Sequence, residues 1–148
     1  MTDTMAAAQF VDTHCHFDFP PFSGNESASL ELAYAQGVRS IIVPTISAQR
    51  FQQVLELANR YSMLYAALGL HPLYIAQHHE QDIDILAQAL ALKPNKLVAI
   101  GEIGLDLFMD DPQLDRQISL LKPQLKLAKQ YHLPVILHSR RSHDQLAR

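Results

Sequence analysis

The chain has 148 residues, with 12 Lys and Arg against 15 Asp and Glu, a formal net charge of −3 and 48% hydrophobic residues. This balance excludes a disordered or collagen-like chain and argues against broad nucleic-acid binding through net charge. A single cysteine, Cys15, excludes a disulfide framework, and no apolar run approaches the ~18 residues of a membrane helix.

The opening MTDTMAAAQ lacks a basic stretch followed by a signal-peptide core. Residues 1–9 therefore read as a flexible N-terminus, 10–148 as part of one domain, and the expected location is the cytoplasm with no membrane partner. The first strand is expected at 9–16 (QFVDTHCH), followed by a short amphipathic stretch at 30–36 and a second strand at 40–45 (SIIVPT). Residues 48–61 place Phe51, Val54, Leu55, Leu57 and Ala58 at helical spacing, with Ser47 as the cap. A third strand at 64–71 (LYAALGLH) leads to a helix at 82–92 carrying Ile83, Leu86, Ala87 and Leu90. The fourth strand, 96–106 (KLVAIGEIGLD), precedes a helix at 113–131 opened by Asp111 and Pro112. Pro123 lies inside that helix and predicts a kink or break near Leu121. A fifth strand at 133–139 (LPVILHS) is followed by the beginning of another helix.

Apolar strands alternating with helices mean an α/β fold with a parallel sheet covered on both faces. A doubly wound open sheet would be complete at this length. A (β/α)₈ barrel uses about 31 residues per unit, so the chain would hold roughly 4.7 units. That count matches the five strands. The expected fold is TIM-barrel-like, with the chain supplying about five βα units as the N-terminal part of a larger barrel.

Polar residues gather where these strands end. In DTHCHFD, strand alternation puts Asp12, His14 and His16 on one face and Thr13 and Cys15 on the other. Two imidazoles at that spacing can bind one divalent cation, with Asp12 as an orienting partner. The competing reading is a pair of histidines in a half-buried strand, and Cys15 reads as a small buried hydrophobe. In GEIGLD, Glu102 follows the apolar run KLVAI, where a carboxylate needs a cation or hydrogen bonds to compensate its burial; a salt bridge to Arg140 is the alternative. Asp106 shares the parity of Glu102 unless the backbone bends at Gly104. In ILHSRR, His138 ends the fifth strand, and Arg140 could hold a phosphate through bidentate hydrogen bonds. In GLHP, His71 stands at the end of the third strand, where substrate contact and a structural role compete. His78, His79 and Glu80 read as a solvated polar loop, and His132 and His143 as exposed.

Together, His14, His16, Glu102 and His138 are expected at one end of the sheet, where α/β enzymes place their sites. The nitrogen and oxygen donors suit Zn, Mn or Mg. A carboxylate between histidine groups could bridge two cations, which makes metal-assisted hydrolysis the reaction class and Glu102 a catalytic candidate.

The motifs DTHCHFD, GLHP, GEIGLD and PVILHSRR, in this order and spacing, resemble the N-terminal half of TatD-type metal-dependent deoxyribonucleases of the metallo-dependent hydrolase superfamily. The resemblance runs from Phe10 to the end of the chain. It implies a TIM barrel, a two-metal site and hydrolysis of DNA, often as a 3′-exonuclease. Matched by motif, His14 and His16 would hold one metal, Glu102 would bridge, and His138 would hold the second metal; His71 and Arg140 would contact substrate. The family pattern continues with a histidine after the sixth strand and an aspartate after the eighth, both beyond Arg148. Two other expectations stand beside the nuclease. One is a related hydrolase of a small substrate; the other is a catalytically incomplete chain that binds metal or self-associates through open barrel edges.

Overall fold

The computed structural model describes residues 8–147. Of the expected flexible N-terminus at 1–9, residues 1–7 lie outside the described residues. Among the described residues, five strands form one sheet: β1 (Phe10–Asp12), β2 (Val38–Pro44), β3 (Leu64–Leu68), β4 (Leu97–Asp106) and β5 (Val135–Arg140). Every neighbouring pair is parallel and the spatial order follows the chain, β1-β2-β3-β4-β5. A doubly wound sheet reverses strand order at a switch point. No reversal occurs among these strands, so the sheet is a stretch of barrel wall.

The crossovers are α1 (Glu26–Ala35), α2 (Phe51–Arg60), α3 (Gln81–Ala91) and α4 (Leu114–Gln130), with a short α5 (His143–Leu146) after β5. The amphipathic α2 buries Phe51, Val54, Leu57 and Ala58. Around it, one part of the core joins Val54 and Leu57 to Ile41, Val43 and Leu64 of the strands and to Phe17. A second part packs Leu86 and Leu90 of α3 and Leu120 and Leu121 of α4 onto Leu68, Ile100 and Ile103. These side chains hold the strand ends that carry the polar motifs. Among the described residues, no helix is long and apolar enough to cross a membrane.

Several local expectations are corrected. The first strand ends at Asp12, so His14 and His16 lie beyond it; the segment remains tied to β2 where Cys15 N–H donates to the Ile42 carbonyl at 3.1 Å. The expected stretch at 30–36 is part of a helix starting at Glu26, which buries only Leu30 and so shows little amphipathic signal. Ser47 is buried at the cap position but its side chain makes no cap hydrogen bond, because the helix is entered through a 3₁₀ turn, Ala48–Arg50. Pro112 lies outside α4, which starts after Gln113 in the left-handed region (φ 48°). The expected break near Leu121 does not form. Pro123 leaves only the exposed Ser119 without an in-helix donor, and the buried Leu120, Leu121 and Gln124 keep the helix seated. Cys15 is half-buried rather than fully enclosed.

Two glycine positions serve the site directly. A Cβ on Gly69 would stand 2.8 Å from the backbone of Gly101, so the chain leaving β3 approaches β4 as closely as it does only because Gly69 lacks a side chain. Gly104 has φ +144°, and a Cβ there would overlap the His138 carbonyl.

Candidate metal centre

The centre is organised around Glu102, only 3% exposed and midway along β4, not at its end as expected. Its peptide is held by Thr45, whose N–H donates to the Gly101 carbonyl and whose carbonyl accepts the Glu102 N–H, each at 3.1 Å. The Thr45 hydroxyl in turn accepts the Gly69 N–H at 2.8 Å and donates to the Gly69 carbonyl at 3.1 Å, so one buried residue ties the ends of β2 and β3 to the middle of β4.

Four imidazoles surround the carboxylate. His14 Nε2 and His16 Nε2 lie 2.9 and 3.1 Å from Oε1. His71 Nε2 and His138 Nδ1 lie 3.3 and 3.1 Å from Oε2. Two donor sets result, His14–His16–Glu102 and His71–Glu102–His138, sharing the carboxylate.

The other nitrogen of each ring decides what it can offer. His138 Nε2 lies 2.8 Å from Asp106 Oδ2, so its proton is held there and Nδ1 turns a lone pair toward Glu102. Two acceptors would then face each other at 3.1 Å, an arrangement that a cation between them makes favourable; a carboxylate behind a ligating histidine is a common second layer of metal sites. His71 behaves differently. Its Nδ1 accepts the Leu73 N–H at 3.0 Å, so the neutral ring carries its proton on Nε2 and donates toward Glu102 or a bound molecule. The donors present therefore fit divalent cations through His14, His16, Glu102 and His138, with His71 beside them as a hydrogen-bond donor.

Electrostatics follow the same contacts. Burial opposes ionisation of Glu102, but hydrogen bonds from His16 and His71 and the nearby imidazole charges outweigh it, holding its carboxyl well below the usual carboxylate range. The hydrogen bond to Glu102 raises the His16 pKa above its ordinary value. Asp106 is lowered as well: its desolvation is outweighed by His138, the Phe108 N–H and Arg140. Burial, with Asp12 and Asp18 nearby, pushes the Cys15 thiol up to about 11.

The sequence and the fold are matched in known proteins. The family model for TatD related DNase matches residues 11–148. The chain belongs to the TatD family. It is 62% identical over 139 residues to the uncharacterized metal-dependent hydrolase YjjV of Escherichia coli K12, covering 94% of this chain and 54% of that protein. The crystal structure of that TatD homolog superposes with a TM-score of 0.90 at 63% identity, over 93% of this chain and 53% of the other. Human deoxyribonuclease TATDN3 is 30% identical over 146 residues, 91% of this chain and 53% of that protein. The chain thus spans about half the length of the curated relatives it matches.

Within this TatD-family fold, the expected group His14, His16, Glu102 and His138 lies together, and His71 joins it, 6% exposed with its ring 4.4 Å from that of His138. Arg140 does not reach Glu102. Its Nε lies 3.2 Å from Asp106 Oδ2 and its guanidinium covers the Phe108 ring, so the alternative Glu102–Arg140 salt bridge is not formed. Asp12 accepts the backbone N–H of His14 at 3.0 Å instead of an imidazole proton.

His78 corrects the reading of a solvated loop: it is 1% exposed and its Nε2 donates to the His71 carbonyl at 2.7 Å, while His79 and Glu80 are exposed. Burial lowers the His78 pKa, keeping the ring neutral. It sits at the end of a 3₁₀ turn, Pro72–Gln77, that Pro72 could have signalled. Two further supports went unread. Gln117 Oε1 accepts the Asp106 N–H and its Nε2 donates to the Asp106 carbonyl, both at 2.9 Å; Gln124 Oε1 accepts the Leu70 N–H at 2.8 Å. Two glutamines seven apart on the buried face of α4 were the available signal.

Proposed function

We propose that the chain carries the main ligand group of a TatD-type metal-dependent hydrolase that cleaves DNA phosphodiester bonds, and that 10–148 is the N-terminal part of its single barrel domain. The observation that supports this most strongly is one buried carboxylate with two imidazoles on each oxygen and Asp106 behind His138. His14 and His16 would hold one divalent cation, His138 a second, and Glu102 both; Zn, Mn and Mg all suit these donors. Bound there, such cations supply an activated water and charge stabilisation for the displaced oxygen.

The protein's own groups do the rest. Glu102 stays ionised while buried, so its negative charge is available without a proton to displace. Asp106 keeps the proton of His138 on Nε2, leaving Nδ1 facing the centre. His71 points an N–H at the same place, suited to a phosphate oxygen. Arg140, half-exposed and already neutralised in part by Asp106, is suited to the phosphate on the far side of that carboxylate.

The test is degradation of end-labelled single-stranded DNA in Mg²⁺ or Mn²⁺. Metal-dependent shortening that disappears when His14→Ala and Glu102→Ala are combined supports the nuclease. Equal shortening by wild type and that variant overturns it. A second reading is a metal-binding but catalytically incomplete chain that self-associates. It is favoured by the half-length match to relatives and by the apolar side chains exposed on β1 and β5, Phe10, Val11 and Leu137. DNA degradation by a version extended to the relatives' length, and none by the 148-residue chain, selects this reading for the chain itself.

A further inference from the structure

Beside the cluster lies a hollow of about 320 Å³, lined by His16, Phe19, Ile46, His71, Leu73 and Tyr74. Two of these six belong to the imidazole group on Glu102, so anything seated here touches the metal centre. The other four carry no charge. Away from the two imidazoles a phosphate would find no cationic side chain in this lining, whereas a flat neutral ring would find two aromatic ones. The volume is at the low end of ligand pockets, enough for one ring system and not for paired bases.

The aromatic walls are fixed in place. The Phe19 ring stands at 74° to His16, with centroids 6.2 Å apart, and the Arg50 guanidinium lies 4.4 Å over its centroid. Arg50 is itself anchored by a 2.7 Å ion pair to the buried Asp18. Tyr74 stands at 86° to His71, with centroids 5.7 Å apart, and its N–H donates to the His71 carbonyl. Each wall is thus an aromatic ring set edge-to-face against an imidazole of the centre, an arrangement that needs little ordering when a ligand enters.

We propose that Phe19 and Tyr74 form a base-stacking subsite that holds one unpaired nucleobase while the adjoining phosphodiester lies at Glu102. The inference rests on the hydrolase reading above and deepens it: it assigns Phe19 and Tyr74 the recognition of a base by its flat face, without regard to its hydrogen-bonding edge. Stacking of a base on aromatic side chains is sequence-tolerant and strengthens binding by about 5- to 150-fold.

The experiment compares two fluorescein-labelled, phosphorothioate-linked tetranucleotides, one bearing thymine throughout and one abasic throughout, binding to the Mn²⁺-loaded protein by anisotropy. The wild type is expected to bind the thymine oligonucleotide at least 5-fold more tightly. Phe19→Leu combined with Tyr74→Leu is expected to erase that difference while keeping wild-type affinity for Mn²⁺ and for the abasic oligonucleotide; the retained Mn²⁺ affinity reports an intact fold. Equal wild-type affinity for the two oligonucleotides, with Mn²⁺ bound, overturns the subsite and leaves the hydrolase reading standing. Failure of the wild type to bind Mn²⁺ overturns both.

Discussion

Replacing Gln117 by Leu separates a polar strut from ordinary core packing. The Gln117 amide is 2% exposed and pairs with both backbone groups of Asp106, at 2.9 Å each. Leucine fills a similar volume but pairs with neither. Each unpaired buried group costs about 1–3 kcal/mol, so about 2–6 kcal/mol is lost. Added apolar burial returns at most about 1–2 kcal/mol, leaving a net destabilisation of about 1–4 kcal/mol. The effect reaches the centre because Asp106 orients His138; loosening such a support lowers metal affinity by about 10- to 100-fold. Urea unfolding of metal-free protein measures the first quantity and titration with Mn²⁺ or Zn²⁺ the second. A stability change within about 0.5 kcal/mol, the range of ordinary surface substitutions, together with unchanged metal affinity would refute the reasoning.

Gly104→Ala is expected to destabilise the protein by several kcal/mol, since the new Cβ overlaps the His138 carbonyl at a positive φ; a thermal midpoint within about 2 °C of wild type contradicts this. Because the folded pKa of Glu102 is depressed, its contribution to stability is present above the unfolded value of about 4.3 and is lost as pH falls toward the folded one. Urea midpoints of metal-free protein measured between pH 7 and pH 3 are expected to fall more steeply for wild type than for Glu102→Gln, and parallel curves count against it. His16 has the opposite sign: its raised pKa stabilises fully below about 6.5, and that contribution is lost as pH rises through the folded value. With its thiol pushed up to about 11, Cys15 is expected to react with iodoacetamide at pH 8 on the order of 100-fold more slowly than an ordinary cysteine in metal-free protein; an ordinary rate rules out the shift.

The barrel wall was legible because parallel strands covered on both faces are written as continuous apolar runs, and because about 31 residues per unit separates a barrel from a complete open sheet. Strand ends were less legible. The alternation in DTHCH reads as strand through His16, but the chain leaves the ladder at Asp12, and nothing local distinguishes an extended segment from a paired one. The first turn of α1 escaped notice because Glu26, Ser27, Ala28 and Ser29 offer no large apolar side chain to start a stripe. At the centre, the motif residues could be named from their place at strand ends. Their supports could not. The Gln117 and Gln124 amides bond to backbone groups 11 and 54 residues away in sequence, and no short-range pattern encodes such a pairing. Asp106 does reach the same His138 ring as Glu102, as its parity suggested, even with Gly104 at φ +144° between them; its role in holding that ring appears only where β4 meets β5. His78, in a polar run, is buried by the turn that begins at Pro72.

The most direct test is crystallography of the protein grown with Zn²⁺, with an anomalous difference map calculated at the zinc edge. The account predicts a peak about 2.0–2.2 Å from His14 Nε2, His16 Nε2 and a Glu102 oxygen, and no such peak in crystals of Glu102→Ala combined with His14→Ala. Featureless density at Glu102 alongside fully occupied zinc elsewhere on the surface would contradict it.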